Sequence, residues 1–105
     1  MAQFDIYENS IRESRSVTPY LLDMQSNSTS DLPTRVVVPL RERSLIPTAT
    51  VTRLHLSIPV LGVEYVAFVS ELAAIPVSSL GRKIDSAESY RTTLVAAIDL
   101  LFTGF

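Results

Sequence analysis

The side chains that could do chemistry in this chain are few, and they do not form a catalytic pattern. His55 is the only histidine and cysteine is absent, which excludes a disulfide framework, a thiolate zinc site and a cysteine nucleophile. Three scattered glycines exclude a glycine-rich phosphate loop, and no serine stands in a nucleophile motif. We therefore predict no catalytic residue, no metal site, no cofactor and no small-molecule substrate.

Arginine beside an acid is the combination that could act on a phosphate group. Such chemistry needs a cation and an acid at the phosphate. The arginines that could pair with an acid such as Asp23 are Arg12, Arg15, Arg35, Arg41, Arg43 and Arg53, and the sequence alone fixes no geometry among them. His55 alternates with Leu54 and Leu56, so we expect it on the outer face of a strand as an ordinary surface residue.

Composition favours a small protein that works by binding. The 105 residues amount to one domain, predicted to span residues 1–105, and no internal repeat is present. Nine basic against eleven acidic residues give a net charge of −2, whereas a domain that grips phosphate backbones usually has a basic excess. Hydrophobic residues make up 47% and charged residues 19%, an apolar excess that a small monomer hides poorly and that favours a homodimer.

The chain has no recognisable signal for export or for a membrane. Its N-terminus lacks the basic and apolar regions of a signal peptide, and Glu64 and Glu71 interrupt the longest apolar stretch. We expect a cytoplasmic protein without a membrane partner.

Short strands occupy most of the chain. Alternation and β-branched runs predict strands at residues 3–7, 20–25, 34–40, 54–59, 64–70 and 75–80. The first strand places Phe4 and Ile6 on the buried face, with Asp5 and Tyr7 on the exposed face. The third strand is apolar on both faces and has Pro39 at its end.

The connections between these strands are polar or contain turn residues. Residues 9–18 predict an exposed, mobile loop, residues 26–33 predict a connection, and residues 41–50 predict either a short helical turn or a loop. Leu61-Gly62 marks the turn of a hairpin, and Gly81 ends the last strand.

A change of period predicts a C-terminal helix from Asp85 onward. Asp85 precedes Glu88 by three residues, as in a capping box. Apolar residues then recur at helical spacing, on a face made of Tyr90, Leu94, Ala97, Ile98, Leu101 and Phe105. The predicted fold is mainly β with one C-terminal helix (α+β), arranged as a small barrel with the helix packed against it.

The C-terminus is more apolar than most chain ends. Leu101 and Phe102 either dock on the protein's own core or meet a partner surface, and the sequence leaves both open. Phe105 follows a glycine, which favours contact across a dimer or with a target protein. Burial of one such side chain stabilises by roughly 1.5–3 kcal/mol.

Short segments along the chain follow the order and spacing of a known family over nearly the whole length. They are Gln3-Phe4 with Tyr7, Arg12-Glu13-Ser14-Arg15, Asp23-Met24-Gln25-Ser26, Arg35-Val36-Val37-Val38-Pro39-Leu40, Ile75-Pro76-Val77 with Gly81, and Ala97-Ile98-Asp99-Leu100-Leu101-Phe102-Thr103-Gly104-Phe105. With these segments the chain resembles the CcdB family, the toxin halves of toxin–antitoxin modules. The resemblance implies an SH3-like barrel of the CcdB/MazF type, with a small antiparallel wing and a C-terminal helix, that forms a homodimer.

For the activity, the resemblance implies a toxin that binds the A subunit of DNA gyrase and traps its cleaved-DNA complex, acting by binding and not as an enzyme. A CcdA-like antitoxin would remove the toxin from gyrase, and the two proteins together would repress their own operon. DNA contact would belong to the antitoxin, so this chain would meet DNA only indirectly, in agreement with its net charge of −2.

The resemblance also implies site residues. Gyrase contacts map onto Asp99, Phe102, Thr103, Gly104 and Phe105 at the helix end, with Ser28 and Thr29 from the loop after the second strand. The dimer interface maps onto Leu101, Phe102 and Phe105, and the antitoxin contacts map onto Asn9, Arg12, Glu13 and Arg15.

Departures from the family pattern leave other functions open. The best-known member has a tryptophan in place of Thr103, an isoleucine in place of Phe105, and isoleucines in place of Ser28 and Thr29. A stacked tryptophan is a typical hot spot, and its loss costs about 2 kcal/mol or more. The resemblance therefore leaves three functions open: a gyrase poison, or a degenerate or retargeted relative that still dimerises and binds antitoxin, or an endoribonuclease toxin like MazF. The last is open because MazF ribonucleases share the barrel, and Arg35 with Asp23 would then be the candidate pair at the scissile phosphate.

Overall fold

The computed structural model describes residues 2–46 and 53–105. Within these residues the strands are β1 Asp5–Asn9, β2 Tyr20–Asp23, β3 Thr34–Glu42, β4 His55–Val60, β5 Val63–Phe68, β6 Ala73–Pro76 and β7 Leu80–Ser86, and helix α1 is Arg91–Thr103. In this part of the chain no helix has the length and apolar character needed to span a bilayer. The predicted class, mainly β with one C-terminal helix, is confirmed.

Antiparallel pairing joins the strands into one sheet with the order β4-β5-β3-β2-β1-β7, while β6 pairs with the first half of β3. The two ends of this order come together, because the backbone N–H of Leu61 in the β4–β5 turn donates to the Asp85 carboxylate of β7 at 3.0 Å. The sheet therefore curls into a barrel. β4, β5 and the end of β3 form the small wing.

The β4–β5 turn is a two-residue hairpin, as predicted. Leu61 and Gly62 both have positive φ angles, 50° and 83°. Positive φ at both central residues gives a turn whose twist matches that of the flanking strands.

Pro39 lies inside β3 and not at its end, so the predicted end of this strand was wrong. One edge of β3 pairs with β6 through Val37 and with β5 from Leu40 onward, and neither register includes Pro39. The missing N–H of proline falls where this edge changes partner. β3 then continues to Glu42, and a 3₁₀ turn, Arg43–Leu45, follows. The rest of the predicted 41–50 segment, from residue 47, lies outside the described residues.

β1 begins later than predicted and is buried on both faces. Phe4 has a φ of 71°, so the extended backbone starts at Asp5. Asp5 and Tyr7, predicted on the exposed face, are each 6% exposed. Burial, together with the charges of Asp5 and Asp23, raises the pKa of the Tyr7 phenol. Alternation did not reveal this second buried face, because its polar side chains are paired with one another and with Lys83, whose Nζ lies 3.3 Å from Asp5 Oδ1.

The prediction of a single last strand ending at Gly81 was wrong. Two strands, β6 and β7, occupy this region, and Gly81 lies inside β7. A Cβ at Gly81 would lie 3.0 Å from the carbonyl oxygen of Glu8 in β1. The glycine therefore marks a close approach of two backbones and not the end of a strand.

The predicted capping box was also wrong, and α1 begins later, at Arg91. Asp85 belongs to β7, and its carboxylate oxygens accept the N–H groups of Leu61 and Ser86 at 3.0 and 2.8 Å. The helix packs on the barrel through the predicted face, with Leu94 and Ala97 buried in the core.

The core lies between α1 and the inner face of the curled sheet. Its buried members are Phe4, Ile6, Leu22, Val38, Leu40, Ile58, Val60, Tyr65, Ala67, Val69, Ala87, Leu94 and Ala97. Because every strand except the short β6 and the edge strand β7 contributes a buried side chain to this cluster, the barrel holds α1 in a fixed position, and with it the C-terminus.

Candidate functional site

The C-terminal end of α1 exposes two aromatic rings. Phe102 is 68% exposed and Phe105 is 86% exposed, whereas Leu94 and Ala97 on the opposite face are buried. Leu101, between the two faces, is half-buried. The sequence left open whether Phe102 docks on the protein's own core or faces a partner surface. In the structure Phe102 does not dock on the core. An exposed aromatic cluster at a fixed position is typical of a partner-binding surface.

Gly104 ends α1 and gives the last residues a defined shape. Its φ is 84°, and its N–H donates to the Leu100 carbonyl at 3.0 Å, which is the left-handed helix cap that favours glycine. The Thr103 hydroxyl donates to the Asp99 carbonyl at 2.6 Å and lies 3.3 Å from the Phe105 carbonyl. Phe105 falls off the predicted core face because the helix has already ended at this glycine.

Asp99 lies on the same exposed stripe of α1 as Phe102. Residues three and four apart share one helix face, so Val95, Asp99 and Phe102 follow one another along the surface. A shallow groove of about 390 Å³ runs beside them from Arg91 to Asp99. Asp99 forms no ion pair with any described residue. Its charge adds to the negative end of the helix dipole, so this end of the molecule attracts cations.

The loop between β2 and β3 carries Ser28 and Thr29. It begins with a 3₁₀ turn, Asn27–Thr29, and the Ser26 hydroxyl caps this turn by accepting the N–H of Ser28 at 3.2 Å. Ser28 is exposed and Thr29 is half-buried. The hydrogen bonds of the loop run within it, to Gln25 and to Gln3 just before β1, and its last carbonyl, that of Pro33, accepts the N–H of Val77 at 2.9 Å. Within residues 2–46 and 53–105, no hydrogen bond joins this loop to the end of α1.

A buried ion pair lies at the base of this loop. The side chains of Asp23 and Arg35 are both 0% exposed, and Arg35 Nη2 lies 2.7 Å from Asp23 Oδ2. Arg35 Nε donates to the same oxygen at 2.9 Å. β2 ends at Asp23, before the predicted end of the strand. Because neither side chain has solvent-accessible surface, the pair does not face a phosphate outside the protein.

The loop between β1 and β2 has a buried anchor at Asn9. Asn9 is 5% exposed, and its Nδ2 donates to the Thr18 carbonyl at 2.8 Å and to the Ser14 hydroxyl at 3.0 Å. Its Oδ1 accepts the N–H of Ile11 at 2.9 Å. The prediction that residues 9–18 are exposed throughout was therefore wrong at both ends of the loop. Asn9 therefore holds the loop from inside, although it also borders the open groove beside Arg15.

The tip of this loop is the part that a partner can reach. Arg12, Glu13 and Arg15 are all exposed, and none of them forms an ion pair with a described residue. Arg15 also lines an open groove of about 350 Å³, together with Glu8 and Tyr20. The tip of the loop thus carries exposed charges beside a groove, without an ion-pair partner among the described residues.

Replacing Asn9 with leucine is expected to release this loop. The substitution removes three hydrogen bonds of a buried amide and should lower the free energy of unfolding by about 1–3 kcal/mol. Trypsin should then cut faster after Arg12 and Arg15 under native conditions, as followed by mass spectrometry. A Glu13→Ala variant, which changes only an exposed side chain, should be cut after Arg15 at the wild-type rate. Equal cleavage rates in the Asn9→Leu variant and the wild type would contradict the role of this anchor.

Arg41 and His55 of the wing bond to side chains that follow β5. The Arg41 guanidinium donates to both oxygens of Glu71 at 3.1 and 3.0 Å and lies 4.7 Å from the centre of the Phe68 ring. The hydrogen bonds from Arg41 hold the pKa of Glu71 below its usual value, although partial burial opposes this. His55 is half-buried, and its Nε2 lies 2.9 Å from the Ser70 hydroxyl. Among the described residues, no cluster of three or more histidine or acidic side chains could bind a metal ion.

Sequence reasoning found the helix end and the exposed arginines, but it missed the polar residues that hold both loops. The sequence predicts Asn9 as an antitoxin contact in a loop, Gln25 as a strand residue, and Asp23 with Arg35 as a candidate catalytic pair. The one available signal was the uncharged amide of Asn9 at a strand end, since such amides often bond to the backbone of the following loop.

Solved structures share this fold at low sequence identity. A structure described as a crystal structure of an Mtb toxin has a TM-score of 0.70 at 20% identity, covering 92% of this chain and 99% of its own. The Mycobacterium tuberculosis toxin MazF-mt6 has a TM-score of 0.73 at 18% identity, covering 93% and 95%. A mycobacterial endoribonuclease solved with its cognate antitoxin has a TM-score of 0.72 at 11% identity, covering 96% and 93%. These likenesses establish the barrel fold.

The family is established by the sequence. A search of curated proteins finds no match. A family model described as CcdB protein matches residues 3–104. Because this match extends over nearly the whole chain and the barrel with its C-terminal helix agrees with it, the chain belongs to the CcdB family, the toxins of toxin–antitoxin modules.

Proposed function

We propose that this toxin binds the A subunit of DNA gyrase and holds the enzyme in the state in which it has cleaved DNA. The observation that supports this most is the aromatic end of α1, where Phe102 and Phe105 are 68% and 86% exposed. A protein that binds one state of an enzyme more tightly than the others shifts the population toward that state. Such a toxin needs a complementary surface and no catalytic group of its own.

The charge of the helix end favours an arginine on the target. Asp99 has no ion-pair partner among the described residues and stands at the negative end of the helix dipole. A guanidinium could pair with its carboxylate while stacking on the ring of Phe102 or Phe105. Thr103 and Gly104 fix the chain between these rings, so all five proposed contacts at the helix end form one continuous surface.

We further propose that the toxin is a homodimer whose contact includes Leu101, Phe102 and Phe105. Leu101 is half-buried beside the exposed Phe102, so apolar surface continues from the core to the outside of the helix. A two-fold axis close to this helix end would cover part of that surface and bring two target-binding ends together. Ser28 and Thr29 would add to the gyrase surface from the β2–β3 loop.

A CcdA-like antitoxin is the second proposed partner. The mycobacterial endoribonuclease that shares this fold was solved with its cognate antitoxin, which supports a partner of this class. Arg12, Glu13 and Arg15 at the tip of the β1–β2 loop are exposed for such a contact, with Asn9 shaping the loop beneath them. With the antitoxin, the toxin would repress its own operon and meet DNA only indirectly, in keeping with its net charge of −2. Its place of action would be the cytoplasm, where gyrase works.

An endoribonuclease activity is the alternative that the shared fold favours, because one of the similar structures is described as an endoribonuclease. The buried Asp23–Arg35 pair argues against it, since both side chains are 0% exposed and are bonded to each other. A degenerate or retargeted toxin is the other alternative, supported by the polar side chains of Ser28 and Thr29 in the loop.

Trapping of cleaved plasmid DNA by purified gyrase tests the proposal. Supercoiled plasmid is incubated with gyrase, ATP and increasing toxin, and the reaction is then treated with detergent and protease. Linear plasmid that increases with toxin concentration is the expected result. If no linear DNA forms while the same preparation cuts a defined RNA, the ribonuclease alternative replaces this proposal. If neither nucleic acid is cut, the toxin is degenerate or retargeted.

A further inference from the structure

We propose that Gln25 is a positioning residue: braced by the buried Asp23–Arg35 ion pair, it fixes the shape of the β2–β3 loop that carries Ser28 and Thr29. This inference rests on the proposed function, in which the loop belongs to the target-binding surface. It gives a role to the three polar residues at the base of the loop that neither the core nor the helix end explains.

At the base of the loop, the buried carboxylate of Asp23 accepts hydrogen bonds at both oxygens. Asp23 Oδ2 accepts from two nitrogens of Arg35, Nη2 at 2.7 Å and Nε at 2.9 Å. Its Oδ1 accepts the backbone N–H of Gln25 at 3.0 Å. Arg35 Nη2 also donates to the Gln25 carbonyl, again at 3.0 Å. The ion pair therefore holds both backbone groups of Gln25 at once.

The side chain of Gln25 connects this ion pair to the loop by hydrogen bonds. Its Oε1 accepts the N–H of Val36 in β3 at 2.8 Å. Its Nε2 donates to the Thr29 hydroxyl at 2.9 Å and to the Thr29 carbonyl at 3.2 Å. One amide thus connects β3, on the far side of the loop, to the end of the 3₁₀ turn.

The other side-chain hydrogen bonds of the turn are exposed, and one of them comes from outside the loop: the Gln3 N–H, just before β1, donates to Asn27 Oδ1 at 2.6 Å. The Thr29 hydroxyl donates to the Ser26 carbonyl at 2.9 Å, and the Ser30 hydroxyl donates to the Asn27 carbonyl at 2.6 Å. No residue of the turn is buried. Solvent-exposed bonds open easily, so the shape of the turn depends most on its partly buried contact with Gln25.

Gln25 is half-buried, and the polar atoms of its side chain all face the protein. This distinguishes it from Ser28, which is exposed and can meet a partner directly. Gln25 therefore influences binding only through the loop that it orders. A loop that is already ordered loses less conformational freedom when it binds, which raises its affinity for a partner.

Two variants separate the bonds of Gln25. Gln25→Met removes the bonds to Val36 and Thr29 at similar side-chain size, while Gln25→Glu can still accept the N–H of Val36 but places a carboxylate against the Thr29 carbonyl. Gln3→Met is the matched control: Gln3 Nε2 donates to the Met24 carbonyl, and the bond from Gln3 to the turn is made by its backbone N–H, which the substitution keeps. The readouts are amide hydrogen exchange by NMR and the affinity for a purified fragment of the gyrase A subunit.

Amides of the loop should exchange at least about tenfold faster in both Gln25 variants, with strand amides at wild-type rates and the Gln3→Met loop unchanged. The affinity of Gln25→Met for the gyrase fragment should fall about tenfold. Loop amides that keep their wild-type exchange rates would overturn the inference, as would faster exchange with an unchanged affinity. If the wild-type protein does not bind the fragment, the gyrase proposal fails, while the exchange rates still decide whether Gln25 orders the loop.

Discussion

Replacing Arg35 with leucine is expected to lower the free energy of unfolding by about 3–5 kcal/mol, because it leaves the carboxylate of Asp23 buried without its partner. Both side chains are 0% exposed, so neither can recover its charge interaction from water. Urea denaturation followed by circular dichroism measures the change. Arg82→Leu is the control: Arg82 is 78% exposed and pairs with Glu8 at 3.7 Å, so its loss should change stability by less than about 0.5 kcal/mol.

The double variant Asp23→Leu, Arg35→Leu distinguishes a buried unpaired charge from a simple loss of packing. Removing both charges leaves no ion without a partner, so part of the stability lost in the single variant should return. A single Arg35→Leu variant that costs less than about 1 kcal/mol would contradict the burial of this pair, since that is the range of an exposed ion pair.

Replacing Phe102 or Phe105 with alanine is expected to weaken gyrase binding by about 2 kcal/mol each, or about thirtyfold in affinity. Both rings are exposed in the single chain, at 68% and 86%, so neither substitution removes core packing. Because both rings also belong to the proposed dimer contact, the midpoint of urea denaturation should stay unchanged at a protein concentration low enough to keep the chain monomeric. Surface plasmon resonance on the immobilised gyrase A fragment measures the affinity.

Leu45→Ala is the matched control for these rings. Leu45 is 72% exposed and lies after β3, away from the end of α1 in the sequence, so its truncation should leave the affinity for gyrase unchanged. Equal losses of affinity for Leu45→Ala and the phenylalanine variants would show that the protein binds by nonspecific hydrophobic contact and not through the helix end. Wild-type affinity in both phenylalanine variants would remove the helix end from the site.

The strands could be predicted where one face is apolar and where the connecting turn contains a recognisable turn-forming residue pair. The hairpin of β4 and β5 followed from alternation and from Leu61-Gly62, whose positive φ angles the structure shows. β7 was missed because it is an edge strand with few apolar side chains, and its glycine looked like an end. Asp85 and Glu88 have the spacing of a capping box, but Asp85 is used to join β7 to the hairpin turn.

The helix end was predictable, and the supports of the loops were not. The C-terminal tail has more apolar residues than the core-facing stripe of the helix can bury, which predicts exposed rings independently of the barrel. Phe102 and Phe105 are exposed in the structure. Asp23 and Arg35 could not be placed, because a sequence does not show that two charges twelve residues apart will be buried against each other. Charged residues are seldom fully buried unless paired, and the pairing is a property of the sheet register.

The measurement that tests the account most directly is calorimetric titration of the toxin into the dimerisation fragment of the gyrase A subunit, beside a variant that lacks residues 103–105. Leu94 and Ala97 keep the shortened helix on the core, so the variant should fold. We predict saturable binding by the full chain and none by the variant. Full-strength binding by the shortened chain, or no binding by the full chain, would contradict the claim that this toxin reaches gyrase through the end of its helix.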